Sequence, residues 1–408
     1  MKYLSEFRLN WTNLLGAGLG LGFGVAFNHY MMNLFGPALI AEFGWSRSQF
    51  ALVGAIGLLG MVCTPIAGRI TDVLGPRKAA AIGFSVIPTA FITLSFMSGN
   101  IWEFYAILAV KSIIGILSAT MVFTRVVVER FDKARGIALA CLLSCPPLVG
   151  AISAPIIGHI IGAEGWRTAY RVMALVSVVG GISAIALIGK YVDAAGNQRS
   201  PAPKLDWAQF REFGRNPVFV LLMAGMFLVN FPQVLVSSQM NIMLMENGAT
   251  MGYATALLSL YASTVIVGRF IGGYALDRVP AHLVAIVSLG LPAVGFLILA
   301  SPLDTRWALA AAIASVGLAQ GAETDVAAML TSRRFEMGHY SFVFSLLMTS
   351  MGLASSTGSM LLSATLTGGG NFNLFLLICA AATLCGAVCF FMTGSAGVRH
   401  DRMRGETA

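Results

Sequence analysis

From Trp11 onward the chain alternates long apolar runs with short polar breaks. The runs extend approximately from Trp11 to Ile40, Arg47 to Ile70, Lys78 to Met97, Ile101 to Val128, Gly136 to Ile161 and Trp166 to Tyr191. A second set runs from Val218 to Met245, Met251 to Leu276, His282 to Ala300, Trp307 to Leu330, Ser341 to Leu366 and Phe372 to Thr393. A helix needs about 20 residues to cross a hydrocarbon core, and each run supplies that length. The pattern predicts an all-α membrane protein of twelve transmembrane helices in two six-helix bundles.

One long polar interval, Asp193 to Asn216, interrupts the pattern with Pro201, Pro203, Lys204, Asp206, Arg211 and Arg215. It divides the chain into an N-terminal bundle at 1–191, a cytoplasmic linker at 192–216 and a C-terminal bundle at 217–408 that ends in a short basic tail. A weak internal repeat agrees with this division. Gly68-Arg-Ile-Thr-Asp72 closes the second run and Gly273-Tyr-Ala-Leu-Asp277-Arg278 closes the eighth, six helices later, as parallel duplication predicts. The first run exceeds a secretory apolar region of about 7 to 15 residues, and no cleavage site follows it; it reads as a retained first helix.

Composition adds a constraint on the solvent. Hydrophobic residues make up 57% of the chain and charged residues 11%, against roughly 25% charged in a soluble domain. The net charge of +8 matters less than its placement. With a cytoplasmic N-terminus, Lys2, Arg8, Arg77, Lys78, Arg130, Lys133, Arg135 and Arg199 fall on the inner side, with Lys204, Arg211, Arg215, Arg278, Arg333, Arg334, Arg399, Arg402 and Arg404. Arg47, Arg167 and Arg306 fall outside. This asymmetry obeys the positive-inside rule and puts both termini in the cytoplasm; it argues against nucleic acid as a partner. The six cysteines lie within predicted helices without the spacing of a metal or disulfide framework. No nucleophile–base pair, metal cluster or phosphate-binding glycine loop is present, so the sequence predicts a non-enzyme with no cofactor, no metal and no catalytic residue, driven by gradients.

The most specific motif is Gly68-Arg-Ile-Thr-Asp72-Val-Leu-Gly75-Pro-Arg77-Lys78 between the second and third helices. Glycines permit close packing and a tight turn, and a carboxylate caps a helix or pairs with a cation. The segment resembles the signature loop of the major facilitator superfamily, matching it at Gly68, Asp72, Gly75, Arg77 and Lys78. The resemblance implies a conformational latch formed by these residues and echoed by Asp277 and Arg278. The bland alternative is a cytoplasmic turn that retains positive charges.

Lys111 precedes Gly115 by four residues on the fourth helix, where the family carries arginine; it either faces protein or water, or snorkels to the outer interface. Helix five reads Gly150-Ala-Ile-Ser-Ala-Pro155-Ile-Ile-Gly158 and is similar to an antiporter pattern, with Ala154 in place of its glycine. Arg269 lies about two turns before the cytoplasmic end of the eighth helix. Its planar fork suits a carboxylate and stays charged at any working pH. In monocarboxylate transporters and the related oxalate/formate exchangers, an arginine at the matching position receives the substrate carboxylate, and the chain is most similar to bacterial members of those groups. A structural ion pair to the tenth helix is the competing reading.

That resemblance places His29 where monocarboxylate transporters carry a lysine involved in proton coupling, and histidine titrates in the physiological range. The chain departs from the mammalian members at Val265, where they carry aspartate. It also lacks the helix 11 lysine of the oxalate exchangers. Proton-coupling candidates are therefore His29, Glu323 and Asp325. The two carboxylates project about 200 degrees apart around one helix, which predicts one paired with Arg269 or Lys111 and the other with Arg333 or the latch. The mixed charges from Glu129 to Gly136 read as a solvated turn, with Arg125 and Glu129 as a local pair. Asn28, Lys111, Asn230, Gln233, Tyr261 and Arg269 are the substrate-binding candidates. The resemblance implies a monomeric secondary transporter in a bacterial inner membrane, moving a small mono- or aromatic carboxylate with a proton by alternating access. Proton-coupled efflux of drug-like or metabolic compounds is the alternative, and a non-transporting sensor a minor one.

Overall fold

A computed structural model describes residues 2–45, 53–189, 214–246, 248–303, 305–366 and 372–404, with side chains at 2, 3, 28–30, 33, 53–55, 57, 58, 237, 238, 241, 242, 251, 252, 255 and 395–404 left undescribed. Every regular element among the described residues is helical. A chain in lipid must satisfy its main-chain donors and acceptors internally, and only helices and closed barrels do so. The expected loop at Arg47 and nearly all of the 192–216 linker lie outside the described residues.

The first half comprises α1 (Lys2–Phe23), α2 (Val25–Phe43), α3 (Val53–Leu74), α4 (Pro76–Ser95), α5 (Ile101–Gly115), α6 (Thr120–Arg130), α7 (Arg135–Glu164) and α8 (Trp166–Leu187). The second comprises α9 (Pro217–Asn230), α10 (Met240–Glu246), α11 (Met251–Leu276), α12 (Ala281–Ala300), α13 (Arg306–Arg334), α14 (Tyr340–Leu366) and α15 (Phe372–Arg404). Among the described residues, seven helical spans are long and apolar enough to cross a membrane, by length and composition. The chain forms two compact units. One contains Met1–Pro203 and Arg334–Ser345, the other Lys204–Arg333 and Leu346–Ala408.

Three predicted helices are interrupted rather than continuous. The first breaks at Gly24 between α1 and α2. The fourth passes through a 3-10 turn at Ile116–Ser118 between α5 and α6. The seventh passes through Pro232 and a π-helical turn at Leu235–Gln239 between α9 and α10. The first two breaks support each other. Ser118 Oγ accepts a hydrogen bond from the Val25 main-chain nitrogen at 3.0 Å, and the Ser118 carbonyl lies 2.7 Å from the place a side chain would occupy at Gly24. Donors released by the bend are thereby satisfied inside the protein, as membrane depth requires.

The first unit packs around aromatic and aliphatic residues including Phe27, Phe35, Phe91, Phe104, Trp166 and Tyr170. The Phe35 and Tyr170 rings stack with centroids 4.0 Å apart. Small residues set the helix spacing: a methyl group at Gly20 would collide with the Phe123 ring, so α1 meets α6 nearly backbone to ring. At the expected outer end, Glu42 accepts hydrogen bonds from Trp166 Nε1 and Arg167 Nη1, and the Arg167 guanidinium lies over the Trp166 ring at 4.1 Å. The second unit packs around Phe231, Leu257, Phe296, Phe375 and Leu376.

Candidate functional site

Within the second unit, α11 and α13 approach as closely as backbones allow. A methyl group at Gly268 would collide with the Leu318 carbonyl oxygen, and one at Gly321 would lie 2.7 Å from the Arg269 nitrogen. Gly272 and Gly317 continue the same seam. The glycines thus press Arg269, a half-buried residue of α11, against α13. Asp325 of α13 is fully buried, and neither carboxylate oxygen has a hydrogen-bond partner among the described residues. The charge of Arg269 acts on it. A buried carboxyl group and a permanently charged guanidinium are therefore held at one close-packed seam.

Glu323, two residues earlier, points elsewhere. It is 4% exposed and accepts hydrogen bonds from Asn230 Nδ2 at the end of α9 and from Gln320 Nε2 at 2.8 Å. Its charge acts on the Tyr261 hydroxyl. Gln233, in the interrupted segment after α9, lines a small cavity with Gln320 and Glu323. Asn230, Gln233, Tyr261 and Glu323, four of the candidates named from sequence, thus converge in one unit. Gln320, which sequence reading missed, completes the clamp; its signal was its position one helical turn before Glu323.

The expected pairings of the two carboxylates need correction. Glu323 pairs with neutral amides rather than with a cation, because the rotation between positions 323 and 325 turns it toward Asn230. Arg333 donates from Nη2 to the Leu276 carbonyl at 3.1 Å, which fastens the end of α11 to α13 and leaves it no part in either carboxylate's hydrogen bonds among the described residues.

Lys111 belongs to the first unit. It is 2% exposed, its Nζ has no hydrogen-bond partner among the described residues, and it lies 5.2 Å from the centroid of the Phe91 ring. Burial removes the snorkelling alternative and leaves a cation held against an aromatic face. The side chains of Asn28 and His29 lie outside the described residues.

The signature-loop residues also belong to the first unit. Asp72 is fully buried at the end of α3 and accepts hydrogen bonds from the main-chain nitrogens of Ser341 and Phe342, both at 2.9 Å. These are orphan donors of the first turn of α14, where a carboxylate is favoured. Arg125 of α6 pairs with Asp72 through Nη1, donates to Ser341 Oγ at 3.1 Å and to the Met337 carbonyl at 2.6 Å, and meets Glu129 through Nε at 2.7 Å. The expected local pair of Arg125 and Glu129 is present but buried, their side chains 1% and 7% exposed, while the turn that follows is solvated at Asp132 and Lys133. Sequence reading missed Arg125 as the hub because its partners lie as far as 216 residues away; a lone arginine in Val122-Phe-Thr-Arg125-Val-Val-Val was the available signal.

Around this hub Gly68 leaves no room for a side chain, with Ser341 O and Ser345 Oγ each 2.5 Å from its would-be Cβ. Gly75 has φ +81° and turns the chain into α4, which glycine does without steric cost. Arg77 is half-buried and Lys78 exposed. In the second unit Asp277 caps the C-terminus of α11, and Arg278 lies 3.5 Å over the Tyr274 ring.

Comparison with known proteins gives a consistent result. The sequence profile of the Major Facilitator Superfamily matches residues 19–257 and 223–406. The MFS transporter asaE of Aspergillus flavus is 22% identical over 377 residues, covering 91% of this chain and 81% of that protein. The agnestins efflux protein AgnL12 of Paecilomyces divaricatus is 26% identical over 243 residues, 57% of this chain and 52% of that one. The gentisate transporter of Corynebacterium glutamicum is 27% identical over 167 residues, 39% of this chain and 37% of that one. In fold, the chain is similar to a solved structure of the E. coli fucose:proton symporter FucP, with a TM-score of 0.72 at 14% identity over 96% of this chain and 99% of that one.

Proposed function

The chain belongs to the Major Facilitator Superfamily, and from that premise we propose that it couples uptake of a small organic anion, a mono- or aromatic carboxylate, to a proton. It is a multi-pass membrane transporter rather than an enzyme. The observation that carries the anion reading is Arg269, a permanently charged fork held at the glycine seam beside buried Asp325. An ionisable residue at membrane depth is costly and functional by default, and a guanidinium offers a carboxylate two parallel charge-assisted hydrogen bonds. The named substrate of the gentisate transporter, an aromatic carboxylate, favours the same class.

Proton coupling follows from the electrical work. An anion entering against the membrane potential costs about 2.3 kcal/mol per 100 mV, and a co-transported proton cancels it. Glu323 and Asp325 are the carriers we assign, with His29 a further candidate. Asn28, Lys111, Asn230, Gln233 and Tyr261 would complete recognition of the substrate. The Asp72 and Arg125 cluster, with Gly68, Gly75, Arg77 and Lys78, would act as the latch that biases alternating access. We place the protein in a bacterial inner membrane as a functional monomer, with both termini cytoplasmic, nearest to the monocarboxylate-transporter-like and oxalate/formate-antiporter-like groups.

The test is a thermal-shift screen of purified protein against monocarboxylates, aromatic acids, dicarboxylates, sugars and cationic drugs, with Arg269→Gln alongside. A ligand that binds the folded state raises its stability. A carboxylate should stabilise the wild type and lose that effect in the variant, since hydrogen bonds to a charged group are worth about 1.5 to 3 kcal/mol. Stabilisation by cationic or neutral amphiphiles alone would overturn the anion reading. It would favour export, the activity in the name of the AgnL12 relative.

A further inference from the structure

A small cavity of about 30 Å³ opens beside Glu323 within the second unit. Its walls come from the interrupted segment after α9, through Pro232 and Gln233, from α12, through Pro292 and Phe296, and from α13, through Val316 and Gln320. The space admits roughly two or three water molecules, which need about 10 to 15 Å³ each by this measure. It cannot admit an organic acid. Its polar lining consists of Gln233, Gln320 and Glu323, enough to give a water its partners.

We propose that this cavity is a water port that loads and unloads a proton on Glu323 from within the second unit. The Asn230 and Gln320 amides hold the carboxylate in one orientation by donating to it, and among the described residues it has no ion-pair partner to lock it in the charged form. A proton carried by a cavity water passes to a free lone pair of the carboxylate, which becomes a neutral carboxyl; the water is released unchanged. The reverse step returns the proton to water. The titratable group that faces Glu323 is Tyr261 on α11; Arg269 and Asp325 act on each other, with Asp325 about 200 degrees around the helix from Glu323. The cavity walls from α12 and from the segment after α9 carry none. The proposal rests on the proton-coupled reading, but its test needs no substrate.

The experiment is infrared spectroscopy of the purified protein during transfer from water to D₂O. The carbonyl stretch of a protonated carboxyl, lost in Glu323→Gln, identifies Glu323, and its isotope shift reports the rate at which water reaches it. Ala319→Leu places bulk on the cavity wall, and Val316→Thr keeps the shape of that wall. Closing the port leaves only local opening as a route, so exchange should slow by about tenfold or more in Ala319→Leu and stay at the wild-type rate in Val316→Thr. If Ala319→Leu does not give a monodisperse protein, Val236→Phe, from the wall formed by the segment after α9, serves instead. Wild-type exchange rates in the filled variant, or no carboxyl band assignable to Glu323 at any pH the protein tolerates, would overturn the port. Slowed exchange together with uptake indifferent to a proton gradient would leave the port standing and overturn the coupled-transport reading.

Discussion

All three guanidinium nitrogens of Arg125 are engaged, with Glu129, Asp72, Ser341 and the Met337 carbonyl as acceptors. Removing one partner of a buried pair strands the other charge, which costs about 3 to 5 kcal/mol. Arg125→Ala should therefore lower the thermal midpoint of the detergent-solubilised protein markedly. Arg125→Lys should recover only part of the loss, because an ammonium cannot reproduce the planar fork. A midpoint unchanged in Arg125→Ala would show that the cluster contributes nothing to stability. His339, in the turn before α14, adds a pH dependence. Burial and the Arg69 charge, opposed by Glu336 and aided by Arg125, hold its imidazole below the usual histidine range. Its stabilising contribution is thus complete above the unfolded value of about 6.5 and is lost as pH falls toward the folded value. The midpoint should drop between neutral and mildly acidic pH, and His339→Gln should flatten that slope; an identical slope in the variant would assign it to other groups.

Among the elements, the interrupted helices and the glycine seam carry the arrangement. At Gly268 the nearest atom to a new methyl group is a main-chain carbonyl of α13, which cannot rotate aside. Gly268→Ala should therefore force α11 and α13 apart. Overpacking of this kind costs about 1 to 3 kcal/mol, and here it would also displace Arg269. Size-exclusion profiles and thermal midpoints measure the first effect, and carboxylate binding measures the second. Gly162→Ala is the matched control, since nothing lies within 4 Å of its would-be Cβ; equal behaviour of the two variants would remove the seam from the argument. The breaks at Gly24 and Ile116–Ser118 teach a related point. Each run is apolar enough to be a continuous helix, and the composition of Trp11 to Ile40 does not reveal that Ser118, far along the chain, will accept from Val25.

For the whole molecule, topology is set by charge counted over loops rather than by any one residue. A fluorescent protein fused after Ala408 should fold and fluoresce on the cytoplasmic side, and a phosphatase active only outside should stay silent there; the opposite pattern would reverse the proposed orientation. The sequence by itself determined the solvent, the helical class and the signature loop. Hydrocarbon thickness, main-chain hydrogen bonding and the need for glycine at tight turns act locally and leave periodic marks in the chain. It also named Asn230, Gln233, Tyr261, Glu323, Arg269 and Asp325 as candidates, because polar residues stand out in apolar runs. Which of these meet was decided by tertiary structure alone. Glu323 found amides from α9 and its own helix, Asp325 came under the charge of Arg269, and Asp72 capped a helix that begins some 269 residues later. Those partnerships depend on helix rotation and on backbone approach at glycines, quantities that no single stretch of sequence contains.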